Sequence, residues 1–489
     1  MNSNIERCQI FTSPTVVSKL LDVVGYSDDI LDKKIIENSC GDGSILLEVV
    51  RRYIVNGLKN KLNIDEIKLG LETNIFGYEI EQAKIDKCHE NLISVASTFG
   101  IENVQWQLFC CDYLKVKHIN QFDFVVGNPP YISYRNLNLE EREYIRENYE
   151  TCSHGKFDIY YAFLEAGIKS MNNNGKMVYL VPSNMFKCTF GKQIRELVKL
   201  NLTDIYDYKT EKIFKKLTNS VILRLNKGKA LKHINYHDLL EKTNFKISIE
   251  KLDNKWIFVD SNFIKDLSSE KKHLRFGDHF NAQITIATLL NKAFILNNFE
   301  DVEDDFVIEK NSSMKIEKTI VKKSVSLRSI TLGKEERIIF PYYYANGELT
   351  RYSEKEFSDN FPLCKQYLSL FRDKLNKRNS HDNVKWFEYG RSQALKKLNE
   401  PKLLVSILIT KEVNTHILDK DTIPTSGILI TALSNYSLEI AQKILHSDEF
   451  MNYVKNIGII CNGRSYKITP NDINEFLFDS NFLEDDING

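Results

Sequence analysis

At 489 residues the chain is longer than one compact core accommodates, so two or three domains are expected. Hydrophobic residues make up 42% and charged residues 27%, the mix of an ordinary globular protein and not of a disordered or fibrous one. Basic and acidic residues balance at 66 each, so net charge singles out no nucleic-acid or membrane partner, although a neutral protein can still line one cleft with lysine and arginine.

No apolar run approaches the ~18 residues that span a bilayer, and Met1–Arg7 lacks the basic-then-apolar pattern of a secretion signal. The nine cysteines are scattered, and the adjacent pair Cys110-Cys111 lacks metal-ligand spacing, so no metal is expected. Reduced thiols in a cytoplasm suit this usage.

The first ~230 residues alternate β-rich runs with helical patterns, as a parallel sheet with crossover helices does. Strands are predicted at Lys34–Glu37, Ile75–Tyr78, Val104–Phe109, Phe122–Val126, Lys176–Val181 and Ser220–Leu225. Helices are predicted over Val16–Val23, Ile45–Val55 and Ile80–Ser94. The turn cluster Asn172–Gly175 ends a helix before the next strand. From about Lys229 apolar runs shorten and charged stretches interrupt them, acidic over Glu300–Asp305 and basic over Lys315–Arg328. The division is therefore 1–230, α/β, and 231–489, mixed α+β.

Four strand ends carry chemistry. Ile35–Ser44 runs strand, Gly-containing turn, helix; its Gly41 and Gly43 let backbone approach a ligand, and no Walker lysine follows. Glu79 ends the next strand, where nucleoside-binding sheets place a carboxylate on ribose hydroxyls. Asp112 ends a third and can accept from an adenine amine. Each acid alone also reads as a cap or solvated turn residue. The fourth, Phe122–Val126, runs into Gly127-Asn128-Pro129-Pro130-Tyr131. Two prolines stiffen that loop, an amide oxygen and a carbonyl can accept both hydrogens of an exocyclic amine, and Tyr131 can stack on its ring. The same residues also read as a strand ending in a Pro-Pro turn.

All four in order resemble the amino-group DNA methyltransferases, and the order resembles their gamma class, with Phe11-Thr12-Ser13-Pro14 similar to its N-terminal cofactor motif. Lys156–Glu165, Gly175–Asn184 and Ile213-Phe214-Lys215-Lys216 resemble later motifs of the class, the last a loop whose aromatic packs on a flipped base. The resemblance covers residues ~10–226, with Asn38 standing where the family usually has proline. It implies a Rossmann-like methyltransferase sheet that binds S-adenosyl-L-methionine through Thr12, Glu37, Ser39, Cys40, Gly41, Gly43, Glu79, Ile80, Asp112 and Tyr113. Asn128, Pro129, Pro130 and Tyr131 would then be catalytic, and the product N6-methyladenine.

The remainder resembles, more patchily, the target-recognition region of Type II enzymes related to the Taq adenine methyltransferase. Ile339–Tyr342, Trp386–Gln393, Pro401–Leu404 and Gly463–Ile468 carry that likeness, and each also reads as domain core or turn. With Tyr131 and Phe214, the implied substrate-binding residues are Arg391, Arg464 and Lys467. The resemblance implies a monomer acting on double-stranded DNA in a bacterial or archaeal cytoplasm, with any cognate restriction endonuclease encoded separately. The competing readings are RNA adenine methylation, protein-glutamine methylation, N4-cytosine methylation, where serine more often replaces Asn128, and a catalytically inactive DNA-binding module.

Overall fold

The computed structural model describes residues 12–211, 219–228, 231–258, 273–302, 305–392, 394–433, 435–461 and 465–484. Phe11, the segment Ile213–Lys216 with Phe214, Gln393 and Arg464 lie outside the described residues. The chain forms two units, Met1–Leu267 with Ile459–Arg464, and Ser268–Gly458 with Ser465–Gly489.

In the first unit the described residues form one nine-stranded sheet. Its strands are β1 (Ile35–Glu37), β2 (Ile75–Glu79), β3 (Gln107–Cys110), β4 (Phe122–Gly127), β5 (Met171–Pro182), β6 (Leu202–Asp207), β7 (Ser220–Asn226), β8 (His233–Asp238) and β9 (Thr243–Ser248), in the order β3-β2-β1-β4-β5-β7-β6-β8-β9. The first five pair in parallel. β7 slots antiparallel between β5 and β6. Strand order reverses between β1 and β4, and open α/β sheets bind ligands outside the carboxyl ends at such a point.

Alternation assigns the two faces. Ile36, Val125, Met177 and Tyr179 enter one core with α6 (Tyr160–Ser170). Ile35, Phe124, Val126, Val178 and Leu180 enter the other, under α1 (Pro14–Val24), α2 (Ser44–Lys59) and α4 (Gln82–Ser97). Arg52 of α2 holds α1 in place, bonding Ser18 and pairing with Asp22 at 2.8 Å.

The six predicted strands are present with shifted ends: the third starts at Gln107, and the fifth extends back to Met171. Asn172–Gly175 does follow the end of α6, but it bulges inside β5, where Phe122 faces Met171 and Phe124 faces Lys176. β6 escapes the sequence pattern because Asp204 and Asp207 interrupt it. Both are buried, Asp204 beside Asn235 and Arg224, and Asp207 accepting from the Tyr236 hydroxyl at 2.6 Å. Another missed element, α3 (Ile64–Asn74), carries a legible signal in the Asn63-x-x-Glu66 capping box.

The second unit is mixed α+β, as read. One four-stranded sheet orders Phe280–Ile284, Ile428–Ala432, Lys402–Val405 and Thr415–Leu418. A hydrophobic core of this unit takes Phe387 and Tyr389, so that part of Trp386–Gln393 is interior. The acidic and basic runs meet: Asp301 pairs with Arg337 at 2.6 Å and Lys318 at 3.4 Å, and Glu300 with Lys310 at 3.0 Å. Lys322, Lys323 and Arg328 are exposed. Among the described residues no helix is long and apolar enough to cross a membrane.

Candidate active site

The turn after β1 is shaped by its glycines. Gly41 (φ 55°) and Gly43 (φ 91°) occupy the left-handed region. A Cβ on Gly43 would also fall 2.7 Å from the Cys88 sulfur of α4, so only glycine fits there. The turn closes on itself, with the Gly43 amide donating to the Cys40 carbonyl and the Cys40 amide to that of Tyr78, both at 2.8 Å.

Glu79, buried at the end of β2, braces this turn. One carboxylate oxygen accepts from the Gly41 amide at 3.1 Å, the other from the amides of Ile80 and Glu81 at 2.8 and 3.1 Å. Asp112, past β3, accepts from the Leu114 amide at 3.1 Å and caps the short helical turn Tyr113–Lys115. Glu37 is buried at the end of β1; burial pushes its carboxyl well above the usual range, and a hydrogen bond from the Leu46 amide offsets part of that.

These strand ends open on a cleft of about 530 Å³. Of the residues singled out from sequence, Ser39, Glu79, Ile80, Asp112, Tyr113 and Pro130 line it. Glu37, Cys40, Gly41 and Gly43 are not among its lining residues and belong to the frame behind it. Asn38, Leu137, Tyr144, Ile159 and Phe163 line it unforeseen, although the last two lie in the Lys156–Glu165 motif.

At the end of β4 the Asn128 amide nitrogen donates to the Thr12 hydroxyl at 3.1 Å, and the Asn128 carbonyl accepts from the Ser39 hydroxyl at 3.5 Å. Thr12 therefore touches the loop and not the cleft lining. The Tyr131 hydroxyl donates to the Leu180 carbonyl of β5 at 3.1 Å, and burial pushes its pKa far up. Its ring meets that of Tyr160 edge-on at 6.2 Å. The chain beyond pairs with the Lys156–Glu165 motif: the Tyr134 amide donates to Phe157 and the Ile159 amide to Ile132, both at 2.9 Å. The Tyr160 hydroxyl donates to Asn184 at 2.9 Å, which brings the Gly175–Asn184 segment to the same place. Five sequence segments that are far apart in the chain thus converge on one sheet edge.

Arg391 and Lys467 belong to the second unit. The Arg391 amide donates to the Ala287 carbonyl at 3.1 Å, and Lys467 is exposed on a strand paired with Leu408.

The polar groups present fit a nucleoside carrying a charged tail. Two acids at adjacent strand ends line the cleft, and the buried Asn38 amide on its wall lacks hydrogen-bond partners of ordinary geometry.

Residues 49–214 match the family described as the Eco57I restriction-modification methylase. The chain is 25% identical over 396 residues to the Type II restriction enzyme and methyltransferase RM.Eco57I of Escherichia coli, covering 70% of this chain and 39% of that protein. It is 22% identical over 490 residues to the Type II methyltransferase M.BstVI of Geobacillus stearothermophilus, covering 90% and 84%. Among solved structures, the Type IIL restriction-modification enzyme MmeI, determined in complex with DNA, aligns with TM-score 0.57 at 12% identity, covering 93% of this chain and 63% of that one. The Type ISP enzyme LlaGI, as a nuclease-deletion mutant with a DNA substrate mimic, aligns at TM-score 0.53 and 12% identity, covering 93% and 46%.

Proposed function

We propose that this chain, whose residues 49–214 match the Eco57I restriction-modification methylase family, is a site-specific DNA methyltransferase that modifies N6 of adenine. The observation that carries the reading is the Asn128 amide, held by Thr12 at the end of β4 beside a cleft walled by Glu79 and Asp112. S-Adenosylmethionine would supply an electrophilic methyl on its sulfonium. Glu79 would hold its ribose hydroxyls and Asp112 its adenine amine.

The N6 amine of adenine is a poor nucleophile because its lone pair is delocalised into the ring. With its nitrogen turned to Thr12, the Asn128 amide presents its oxygen as acceptor. That oxygen and the Pro129 carbonyl would accept hydrogen bonds from the two amine hydrogens, pyramidalise the nitrogen and aim its lone pair at the methyl, whose bond to sulfur breaks as the bond to nitrogen forms; the methylated amine then sheds one proton to water. Catalysis on this scheme is positioning and local electrostatics. The target would leave the duplex to reach a sheet edge, at a cost of a few kcal/mol. The second unit, with Lys322, Lys323 and Arg328 exposed, would hold phosphates and read the site. The enzyme would act as a monomer, any partner nuclease being a separate chain.

The test is long-read sequencing of DNA from cells expressing the protein. N6-methyladenine at one fixed sequence is expected; a mark on cytosine, or none, overturns the reading. The cofactor half has its own check by calorimetry. Glu79→Ala should weaken S-adenosylmethionine binding by about 1–3 kcal/mol, because it removes the ribose acceptor and also strands the Gly41, Ile80 and Glu81 amides. Unchanged affinity would displace the nucleoside from this cleft.

A further inference from the structure

Asn38 is the residue at which this chain departs from the proline of the family it resembles. Its side chain is 1% exposed and lines the cleft, yet neither Oδ1 nor Nδ2 has a hydrogen-bond partner of ordinary geometry. The nearest polar company is the hydroxyls of Tyr113 and Tyr179: burial drives both up, and Asn38 lies close enough to offset part of the rise. The Tyr179 hydroxyl is itself without a partner. Buried amides are seldom left unbonded, so the Asn38 amide on the cleft wall, beside Tyr113, is a polar group suited to a polar ligand.

The sheet order says which part of the ligand would meet it. Along the carboxyl edge the strands run β3, β2, β1, β4, and the polar groups beyond them are Asp112, Glu79, Asn38 and Asn128. Neighbouring strands are ~4.8 Å apart, so the row spans the length of an extended nucleoside with an amino-acid tail. With adenine at Asp112, ribose at Glu79 and the accepting amine at Asn128, the methionine half falls over β1. The hydrogen-bonding groups of that half are an ammonium and a carboxylate, and a carboxamide can serve both. Gly127 adjoins the same wall, since a Cβ there would stand 3.2 Å from the Tyr179 ring and 3.4 Å from Asn38 Oδ1.

We propose that Asn38 is a cofactor-positioning residue, its Oδ1 accepting from the ammonium and its Nδ2 donating to the carboxylate at the amino-acid end of the bound cofactor. This rests on the reading of the cleft as an S-adenosylmethionine site. Proline, with no side-chain donor or acceptor, could make neither bond.

The experiment titrates the full-length chain and Asn38→Ala, by calorimetry, with S-adenosylhomocysteine and with 5′-methylthioadenosine, which keeps the nucleoside and sulfur but lacks the amino-acid end. The variant is expected to bind S-adenosylhomocysteine about tenfold more weakly and methylthioadenosine within about twofold of the native chain. A general loosening of the fold would weaken both ligands alike, and that result, or unchanged S-adenosylhomocysteine binding, overturns the proposal. A native chain that binds neither ligand would overturn the cofactor reading itself and this inference with it.

Discussion

Asn128→Ala is expected to lower methyl transfer by roughly 10²–10³-fold or more while S-adenosylmethionine binds within a few-fold of its native affinity. The amide is proposed to contact the accepting amine, whereas the cofactor contacts are assigned to Glu79, Asp112 and their neighbours, so truncation at 128 separates the two steps. Thr12→Val supplies the second arm. Valine keeps the shape of threonine but removes the hydroxyl that accepts from Asn128 Nδ2 at 3.1 Å. The amide can then rotate, and turnover should fall about tenfold with the cofactor affinity intact; Thr12→Ser should restore it. Single-turnover rates and calorimetry on the three variants make the measurement. Near-native turnover in Asn128→Ala would remove the mechanism, and a Thr12→Val loss confined to cofactor affinity would return Thr12 to the cofactor.

The largest effect on stability is expected in the second unit. Lys402 is fully buried, and its ammonium donates to the carbonyls of Leu398, Lys420 and Thr422. Burial pushes its pKa down to about 8, so near pH 7 it is still mainly protonated and supplies all three donors. Lys402→Met keeps the aliphatic stem but strands the buried carbonyls of Leu398 and Thr422 and releases the part-buried one of Lys420, which should destabilise this unit by about 2–4 kcal/mol. Chemical denaturation followed by tryptophan fluorescence reads it, because Trp386 is the one tryptophan of the three in the second unit. The midpoint of that transition should fall, and cofactor affinity, a property of the first unit, should hold. An unshifted midpoint would mean that water reaches those carbonyls.

What the sequence made legible was whatever sits within a few residues of itself. The glycines of the first turn, Glu79 and Asp112 at strand ends and the stiff loop at 128 are local patterns, and Glu79, Asp112 and Pro130 line the cleft. The Thr12 hydroxyl that accepts from the Asn128 amide lies 116 residues away, so no window on the chain reveals that the two meet. The same limit governs Asn38, readable only as a departure from a motif until its burial without partners is seen. In the second unit the aromatics around Trp386 fitted base contacts and core alike. The structure stacks Phe387 on Phe357 at 4.0 Å and gives Glu388 to Arg351, so tertiary packing claims them. Buried aspartates hid β6 for the converse reason, since their partners come from neighbouring strands.

The pairing of Glu300 and Asp301 with Lys310, Lys318 and Arg337 bears on how ionic strength would act on this molecule. All five side chains are partly exposed, so added salt screens them as it screens any surface pair. Asp301–Arg337 ties the hairpins of Phe299–Glu317 to the strand Glu336–Ile339, while the other two pairs lie within the hairpins and just after them. A duplex approaching the same unit would compete for those cations with its own phosphates, and its affinity would fall with salt through counterion release. A plot of log affinity against log salt would then sum two processes, loosening of the hairpins and loss of phosphate contacts. The first process frees cations for the duplex and offsets part of the second, so the slope would undercount the phosphates touched, and Asp301→Asn, which removes the internal competitor, would bring the apparent number closer to the true one.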